Sequence, residues 1–281
     1  MLGLSQKGYI ERVLKRFNMS SCAFGEVPIS KGDKLSKHQS PHNEIEKEEM
    51  KNKPYASLVG SLMYAQVCTR PDIAFALSVL GRFQSNPGNA HWIAAKKVMR
   101  YLQRTKSYML VYQRREDLEL VGYCDADFAG CPDDRKSTSG FVFLMASGAV
   151  SWKSVKQGQL AGSTMQAEFI ACYEATSQAV WLRNFIIGLR VVDSIARPVQ
   201  IYCDNSAAVF YSRNNKRSVG TRILDVKFLS VREKIKEGKT KIDHISTHEM
   251  ITDPLNKAVP NSIFKRHVTS MGILASFDDA E

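Results

Sequence analysis

Two short apolar segments in the second half of the chain lead into an aspartate, and a long helical pattern separates them. The first, Leu118–Tyr123, leads to Asp125, and the second, Val199–Cys203, leads to Asp204. Apolar residues over five or six positions predict buried strands, and a strand, a helix and a strand can form a parallel crossover. The second half is therefore restricted to an α/β fold in which the two acids can lie side by side at one edge of a sheet.

Further strand and helix patterns surround these segments. Strands are predicted over 118–125, 140–145, 150–154, 199–203 and 241–246, and helices over 164–189, 207–211 and 223–237, with a last helix around Asp253. The three successive strands predict an antiparallel meander, and the later alternation predicts parallel crossovers. We expect an α/β domain over 116–260 with a mixed five-stranded sheet and flanking helices, followed by a C-terminal tail over 261–281.

Four acidic residues of this domain can meet at one edge of the sheet. Asp125 and Asp204 end their strands, Glu168 lies in the first turns of the long helix, and Asp253 lies on the last helix. Clustered carboxylates repel one another unless cations neutralise them, and oxygen ligands suit Mg²⁺ or Mn²⁺. A pair of such ions can activate water for phosphodiester cleavage. The alternative for a single aspartate at a strand end is a turn, in which the side chain bonds its own backbone.

The first part of the chain, over 1–110, predicts a mainly helical segment. Helices are expected over about 5–17 and 55–67, from residue 71, and over 91–105. On the last of these, Lys96, Arg100 and Arg104 form a basic stripe, which can follow a phosphate backbone or simply be a solvated helix face. Residues 30–54 contain few large apolar side chains to offset the entropy of ordering, so we expect a flexible linker there.

The composition favours a globular protein that meets a polyanion. The 281 residues are 44% hydrophobic and carry a formal charge of +11, and such a surplus points to nucleic acid. The six cysteines lie far apart and form no C-x-x-C pair, so the sequence suggests neither a zinc site nor a small disulfide framework. This favours a reducing intracellular compartment, cytoplasmic or nuclear rather than secreted. The sequence shows no signal peptide, membrane span, phosphate-binding P-loop or polymerase Tyr-x-Asp-Asp motif. We therefore expect no membrane partner and no small-molecule cofactor.

Several short motifs carry a resemblance to a known family. In the second half they are Gly122–Asp127, Asp134–Gly140, Ser163–Phe169, Tyr202–Asn205 and Thr252–Lys257. Upstream they are Leu4–Gln6, Val59–Tyr64, Thr69–Ile73, His91–Trp92 and Arg100–Leu102. Together they resemble the C-terminal part of the Pol polyprotein of copia-type retrotransposons, where the end of reverse transcriptase and a connection are followed by ribonuclease H. The resemblance covers nearly the whole chain and implies a ribonuclease H-like fold after a mainly helical connection.

The resemblance also implies roles for individual residues. The metal-binding catalytic acids, which would hold two Mg²⁺ or Mn²⁺ ions, correspond to Asp125, Glu168, Asp204 and Asp253. Asp127 and Asp225 are second choices, and Gln166 stands where the family often has a glutamate. Around Asp225 the chain reads G-T-R-I-L-D where the family usually reads R-T-K-H-I-D. This departure weakens the expectation of substrate contacts from that helix.

The implied activity is hydrolysis of the RNA strand of an RNA/DNA hybrid to 3′-hydroxyl and 5′-phosphate ends, with a reverse transcriptase core as a possible partner. Such an enzyme must read the 2′-hydroxyl groups in a wide, shallow minor groove. Phosphate contacts are expected from six basic residues: Lys96, Arg100, Arg104, Arg213, Lys216 and Arg217. His244 and His248 lie close to Asp253 in sequence. His248 can assist proton transfer or product release, or be an ordinary loop histidine.

Two other functions stay open from the sequence alone. A hybrid-binding or structural remnant that has lost catalysis would keep the fold, and the departures over 220–230 favour it. A DNA-cutting transposase or integrase of related fold also carries acids at strand ends. Its essential glutamate comes last, however, whereas Glu168 comes second here. Cleavage of a hybrid, of duplex DNA or of neither substrate distinguishes the three functions.

Overall fold

The first part of the chain is mainly helical, as the sequence predicts. The structure, a computed structural model, describes residues 1–116, 118–190, 195, 197–213 and 222–280. The elements of the first part are β1 (Leu2–Ser5), α1 (Lys7–Arg16), α2 (Glu44–Lys51), α3 (Tyr55–Thr69), α4 (Ala74–Leu80), α5 (Asn89–Arg104) and β2 (Met109–Tyr112). Short 3₁₀ helices cover Lys37–Gln39, Pro71–Ile73 and Gly81–Phe83.

The second part alternates strands and helices. Its elements are β3 (Val121–Asp127), β4 (Thr138–Met145), β5 (Gly148–Lys156), α6 (Thr164–Leu189), β6 (Val199–Cys203), α7 (Ser206–Arg213), α8 (Arg222–Lys236), β7 (Thr240–His244), α9 (Asn261–Ser270) and β8 (Ile273–Leu274). Short 3₁₀ helices cover Thr247–Glu249, Asp253–Leu255 and Asp278–Ala280. Among the described residues, no helix is both long and apolar enough to cross a membrane.

Five strands form the sheet that the sequence predicts. Their order is β5-β4-β3-β6-β7. The pairs β5–β4 and β4–β3 are antiparallel, whereas β3–β6 and β6–β7 are parallel. A hairpin can join antiparallel neighbours, but parallel neighbours need a crossover, which α6 supplies between β3-β4-β5 and β6. The mixed five-stranded α/β fold class is confirmed.

Hydrophobic clusters cover both faces of this sheet. In β4, Phe141 and Phe143 join the cluster formed with α6, α7 and α8, while Val142 between them joins the cluster formed with α1, α3, α4 and α5. Successive side chains of a strand point to opposite faces, so the first part of the chain packs on one face and α6–α8 pack on the other. Trp152 Nε1 on β5 also donates a hydrogen bond to Gln66 O on α3, at 3.2 Å. The first part therefore shares a core with the five-stranded sheet.

The segment 261–281, expected to be a tail, contributes structure to the first part, and that expectation needs correction. Its strand β8 pairs with β2, which in turn pairs with β1, so the three form a second sheet in the order β1-β2-β8. From α9, Phe264 and Val268 are buried in the same hydrophobic cluster as α1 and α3. The division into a helical segment, a domain and a tail is thus replaced by two parts that share one cluster.

The segment 30–54 is also more ordered than the predicted flexible linker. It contains α2, whose first turn is capped by the Asn43 side chain accepting a hydrogen bond from Glu46 N at 2.9 Å. Its backbone bonds distant residues: Lys37 N donates to Asp133 Oδ1 at 2.9 Å, and Ser36 O lies 3.1 Å from His91 Nε2. Few apolar side chains suffice here because these polar contacts with neighbouring elements hold the backbone.

Gly272→Ala is expected to lower the free energy of unfolding more than Gly238→Ala. Both glycines have a positive φ, +80° and +64°, which costs another residue about 1–2 kcal/mol. A Cβ at Gly272, just before β8, would also lie 2.8–2.9 Å from backbone atoms of Gly148, Ser147 and Val111, whereas the position at Gly238 is open. We expect roughly 2–4 kcal/mol for Gly272→Ala, measured by urea denaturation. Equal losses at the two sites would contradict the tight packing of β8.

Candidate metal-binding site

Asp125 is at the centre of the acidic site and lies within a strand rather than at its end. It pairs with Gly140 of β4, and β3 continues to Asp127, opposite Thr138. The side chain of Asp125 is almost fully buried, at 2% exposure. A buried carboxylate needs hydrogen bonds or a counter-charge, and the 3₁₀ helix that begins at Asp253 supplies both.

The turn over 253–257 is fastened to Asp125 by two side chains. Asn256 Nδ2 and Lys257 Nζ both donate to Asp125 Oδ2, at 2.8 and 3.0 Å. Lys257 Nζ also lies 2.8 Å from Asp253 Oδ1, so one ammonium group bridges two of the acids. Residues four apart share one side of a helical turn, and this places Asp253 and Lys257 together.

Gly140 permits this close approach. A Cβ at Gly140 would lie 3.0 Å from Leu255 Cβ, so any larger residue opposite Asp125 would displace the 3₁₀ helix that carries Asp253. The motif containing Gly140 was recognised in the sequence, but its partner, more than a hundred residues later, could not be inferred from local pattern.

Glu168 and Asp204 complete the group of acids. Glu168 lies in the second turn of α6, whose N-terminus is capped by Ser163 accepting from Gln166 N at 3.2 Å. Asp204 follows β6, the parallel neighbour of β3. Carboxylate oxygens of Glu168 and Asp204 lie within 4.8 Å of each other, and the Asp125 carboxylate is near enough to raise the pKa of Glu168. The four predicted acids therefore form two neighbouring pairs: Lys257 joins Asp125 to Asp253, and Glu168 lies beside Asp204.

The four acids have different pKa values because burial and neighbouring charges act on them differently. Burial and the nearby Asp125 carboxylate raise the pKa of Glu168 to about 12, and burial and a hydrogen bond to Asp125 raise the pKa of Asp253 to about 7. Burial would also raise the pKa of Asp125, but the Lys257 ammonium and hydrogen bonds lower it to about 2. Burial and Asp125 raise the pKa of Asp204. Such crowding favours either protonated carboxyl groups or cations bound in place of protons.

The donor set fits hard divalent cations. All four groups offer carboxylate oxygens, which Mg²⁺ and Mn²⁺ prefer. Asn256 Oδ1, on the side chain that bonds Asp125, is buried and finds no hydrogen-bond partner among the described residues. A buried acceptor without a partner is unusual in folded proteins, and it adds one more oxygen beside the acids. Asn256 and Lys257 were part of a recognised motif, but the sequence assigned no role to them.

The second-choice residues lie in different surroundings. Asp127 is half-buried at the end of β3, where burial raises its pKa. Gln166 Oε1 accepts a hydrogen bond from Gly162 N at 2.9 Å, so this side chain serves the start of α6. The side chain of Asp225 lies outside the described residues. Asp125 is thus the acid of β3 that Asn256 and Lys257 bind, and Lys257 links it to Asp253.

Two of the six predicted phosphate-binding residues are engaged within the protein. Arg104 forms an ion pair with Glu26, and Arg213 Nε donates to Ile242 O at 2.8 Å while its guanidinium pairs with Asp243. Lys96 Nζ lies 5.9 Å from the centre of the Trp92 ring, and Arg100 is exposed. Lys216 and Arg217 lie outside the described residues. The partners of Arg104 and Arg213 come from distant segments, so a helical pattern could not reveal them.

A different set of basic residues lies beside the acids. A cavity of about 270 Å³ is lined by Asp127 and Lys257 and by three basic side chains that sequence analysis did not single out: Lys31, Lys34 and Arg82. Arg82 Nη2 donates to Thr138 Oγ1 at 3.3 Å, while its Nε is buried with no partner among the described residues. Lys31 and Lys34 lie in the segment 30–54, whose composition predicts a linker rather than a binding surface.

The two histidines near the acids differ in position. His244 Nε2 lies 3.1 Å from Asp204 O, at the end of β7. His248 is exposed on the 3₁₀ helix Thr247–Glu249, and its carbonyl oxygen accepts a hydrogen bond from Arg266 Nη2 at 2.8 Å. Burial and Asp125 raise the pKa of Asp204, and the neighbouring Thr247 side chain partly offsets this effect. An auxiliary role for His248 stays a prediction.

Comparison with known sequences gives relatives over almost the whole chain, although no family model matches. The retrovirus-related Pol polyprotein from transposon TNT 1-94 of Nicotiana tabacum is 42% identical over 94% of this chain and 20% of that polyprotein. The one from transposon RE1 of Arabidopsis thaliana is 30% identical over 97% of this chain and 18% of its own length. The chain therefore spans about a fifth of these polyproteins. The secreted RxLR effector protein 161 of Plasmopara viticola is 51% identical over 47% of this chain and 94% of that protein.

Solved structures with similar folds are more distant. LC11-RNase H1 in complex with an RNA/DNA hybrid is 20% identical, with a TM-score of 0.37, over 49% of this chain and 94% of that chain. The foamy viral protease-reverse transcriptase in complex with double-stranded DNA is 12% identical, with a TM-score of 0.45, over 73% of this chain and 42% of that chain. The polyprotein relatives span both parts of the fold described above. By sequence, this chain belongs to the retrovirus-related Pol polyproteins of copia-type transposons.

Proposed function

We propose that this chain hydrolyses the RNA strand of RNA/DNA hybrids with two Mg²⁺ or Mn²⁺ ions as cofactors. The ions would be held by the four acids that meet around Asp125: Asp125, Glu168, Asp204 and Asp253. The observation that carries the proposal is this convergence of acids from four separate elements. Membership of the Pol polyproteins supports the hybrid as substrate and a reverse transcriptase core as partner.

The chain's own residues would hold the acids in place for this chemistry. Bound ions of this kind supply a nucleophilic water at neutral pH and stabilise charge on the leaving oxygen. Lys257 and Asn256 fix Asp125 Oδ2 through their hydrogen bonds. Since Lys257 is also paired with Asp253, it sets the distance between two ligands and lowers the repulsion between them. Lys257 is therefore a positioning residue in this proposal.

Substrate binding would fall to the cavity beside Asp127. Lys31, Lys34 and Arg82 line it together with Lys257, and cationic side chains at such a place can bind phosphate groups of a nucleic acid backbone. Arg82 suits this role because its planar guanidinium can pair with phosphate oxygens through two parallel hydrogen bonds. Phosphate contacts from Lys96, Arg100, Lys216 and Arg217 stay predictions.

A substrate panel tests the proposed function. The purified chain is incubated with an end-labelled RNA/DNA hybrid, the matched RNA duplex and the matched DNA duplex, with Mg²⁺, with Mn²⁺ or with a chelator. We expect the RNA strand to be cut only in the hybrid and only with an ion present. A hybrid that is shifted on a gel but stays intact under all ionic conditions would favour a binding remnant, and cleavage of duplex DNA alone would favour a transposase.

Mg²⁺ is expected to stabilise the folded chain through the same acids. A ligand that binds only the folded state adds about 2.7 kcal/mol to the free energy of unfolding at 100 times its dissociation constant. Thermal melts across a Mg²⁺ titration at constant ionic strength measure the shift. Asp125→Asn should remove most of it, whereas Glu44→Gln, at an exposed acid of α2, should leave it unchanged. Equal shifts in parent and Asp125→Asn would place the bound ions elsewhere.

A further inference from the structure

Three cysteine thiols from separate elements meet next to the acids. Cys124 lies on β3, Cys172 on α6 and Cys203 at the end of β6, and all three are fully buried. The Sγ atoms of Cys124 and Cys172 are 3.6 Å apart, and all three Sγ atoms lie within 4.8 Å of one another. We call these three residues the thiol cluster. The proposed hydrolysis uses none of them.

The spacing of the thiol cluster matches that of thiolates around a single metal ion. With metal–sulfur bonds of about 2.3 Å in tetrahedral geometry, neighbouring sulfur atoms lie about 3.8 Å apart. The Cys124–Cys172 distance is close to this value, and the limit of 4.8 Å for the others leaves only small adjustments. The three side chains come from a strand, a helix and a second strand, so the scaffold rather than one flexible loop sets their positions.

Glu168 offers a fourth ligand. Its Oε2 lies 4.0 Å from Cys203 Sγ, and it is buried in the same region. Its carboxylate lies in a group with Cys203 and Asp204 rather than with all three Sγ atoms, so the side chain would have to turn towards Cys124 and Cys172 to complete the four ligands that Zn²⁺ usually takes in proteins. Glu168 groups with both Cys203 and Asp204, so this one residue lies next to the thiol cluster and to the other acids.

We propose that Cys124, Cys172 and Cys203, with Glu168, form a binding site for one soft or borderline metal ion of the Zn²⁺ type. Thiolates select Zn²⁺, Cd²⁺ or Cu⁺ over Mg²⁺, whereas the neighbouring carboxylates select Mg²⁺ or Mn²⁺. Two adjacent sites that prefer different classes of metal ion would therefore share the Glu168 side chain. If the proposed function is correct, an ion on the thiol cluster competes for Glu168 and inhibits hydrolysis. Binding itself does not rest on that function.

Cd²⁺ titration of the full chain tests the site without any measurement of activity. Cadmium bound to thiolates gives an ultraviolet charge-transfer band whose intensity rises with the number of sulfur ligands. Under reducing conditions and with excess Mg²⁺, we expect one tightly bound Cd²⁺ per chain, with the intensity of three thiolates. Zn²⁺ should displace it in competition, and Mg²⁺ should not.

Variants locate the ion within the chain. Cys172→Ala and Cys124→Ala should each weaken Cd²⁺ binding by at least about 100-fold and lower the band, since even outer-shell changes cost metal sites 10- to 100-fold. Cys131→Ala is the matched control, because Cys131 is equally buried but outside the thiol cluster. Exposed Cys68 and half-buried Cys22 are replaced by serine in all proteins to remove background binding.

Several results would overturn the proposal. They are a parent chain that shows no tight band, a band with the intensity of fewer than three thiolates, or a band that survives Cys172→Ala in a folded protein. The three thiols would then be ordinary buried side chains packed as small apolar groups. The test uses two variants on different elements and also the band intensity of the parent chain. It therefore still decides the question if one variant fails to fold. Failure of hydrolysis with normal Cd²⁺ binding would count against the proposed function alone.

Discussion

Asp125→Asn is expected to reduce cleavage of the RNA strand by roughly 10²- to 10³-fold, because a metal site contributes several kcal/mol of transition-state stabilisation. Asparagine keeps the size of the side chain, and its Oδ1 can still accept a hydrogen bond from Lys257 or Asn256. What it loses is the negative charge, which the Lys257 ammonium and hydrogen bonds maintain against the effect of burial on the pKa of Asp125. The measurement is the single-turnover rate on an end-labelled hybrid at saturating enzyme and Mg²⁺.

Asp127→Asn is the matched control for that prediction. Asp127 lies two residues further along β3, is half-buried, and is not bonded to Asn256. We expect its replacement to change the rate by less than about tenfold, mainly through the basic cavity that it lines. Melting curves of both variants show whether the fold is kept. A large loss for Asp127→Asn together with a small one for Asp125→Asn would reverse the assignment of the two acids.

Asp72→Asn is expected to lower the free energy of unfolding by about 3–5 kcal/mol, the range for breaking a buried ion pair by removing one partner. Asp72 and Arg70 have fully buried side chains, with Arg70 Nη2 2.7 Å from Asp72 Oδ2. Arg70 also donates to Thr105 O at 3.1 Å, and Tyr101 Oη donates to Asp72 Oδ2 at 2.5 Å. Loss of the carboxylate leaves a buried guanidinium without its counter-charge, which urea denaturation will detect.

Two comparisons separate the cost of an unpaired buried charge from the value of the pair. Glu119→Gln breaks an exposed ion pair with Arg197, whose atoms are 3.0 Å apart, and should cost less than about 1 kcal/mol. Replacing both Arg70 and Asp72 by apolar residues of similar size should cost less than Asp72→Asn, because no charge is then buried alone. If Asp72→Asn lowers the free energy of unfolding no more than Glu119→Gln does, the contacts of Arg70 with Thr105 and Tyr101 stabilise the buried guanidinium without Asp72.

The strands and helices of the second half could be predicted because their apolar residues have a regular period. The bounds of β3 could not be predicted in this way: the expected strand covers 118–125, whereas the observed strand covers Val121–Asp127. The strand continues through Asp125 and Asp127 because their backbones pair with Gly140 and Thr138. The apolar pattern of the sequence does not show which backbone groups pair between strands. The consequence for the site is that the backbone of Asp125 is held by its pairing with β4, whereas the pairing of β3 with β6 ends at Tyr123.

The acids could be predicted from the sequence, but the residues that position them could not. Each acid lies in or next to a predicted element, and the recognised motifs contain all four. The bonds from Asn256 and Lys257 to Asp125 join residues that are more than a hundred positions apart. The same limit explains Arg104 and Arg213, whose partners come from elsewhere in the fold. Long-range partners are set by the fold, and the local pattern carries no signal for them.

The pairing of β8 with β2 has a consequence for the order in which the chain can fold during synthesis. When β1 and β2 leave the ribosome, the strand that completes their sheet has not yet been translated. Contacts between distant segments form late because the intervening chain must first be ordered. The hydrophobic cluster of the first part is thus incomplete until Phe264, Val268 and Ile273 have been synthesised. A nascent chain stalled before these residues would present an open apolar surface to chaperones, while the sheet from β3 to β7 already has all its strands.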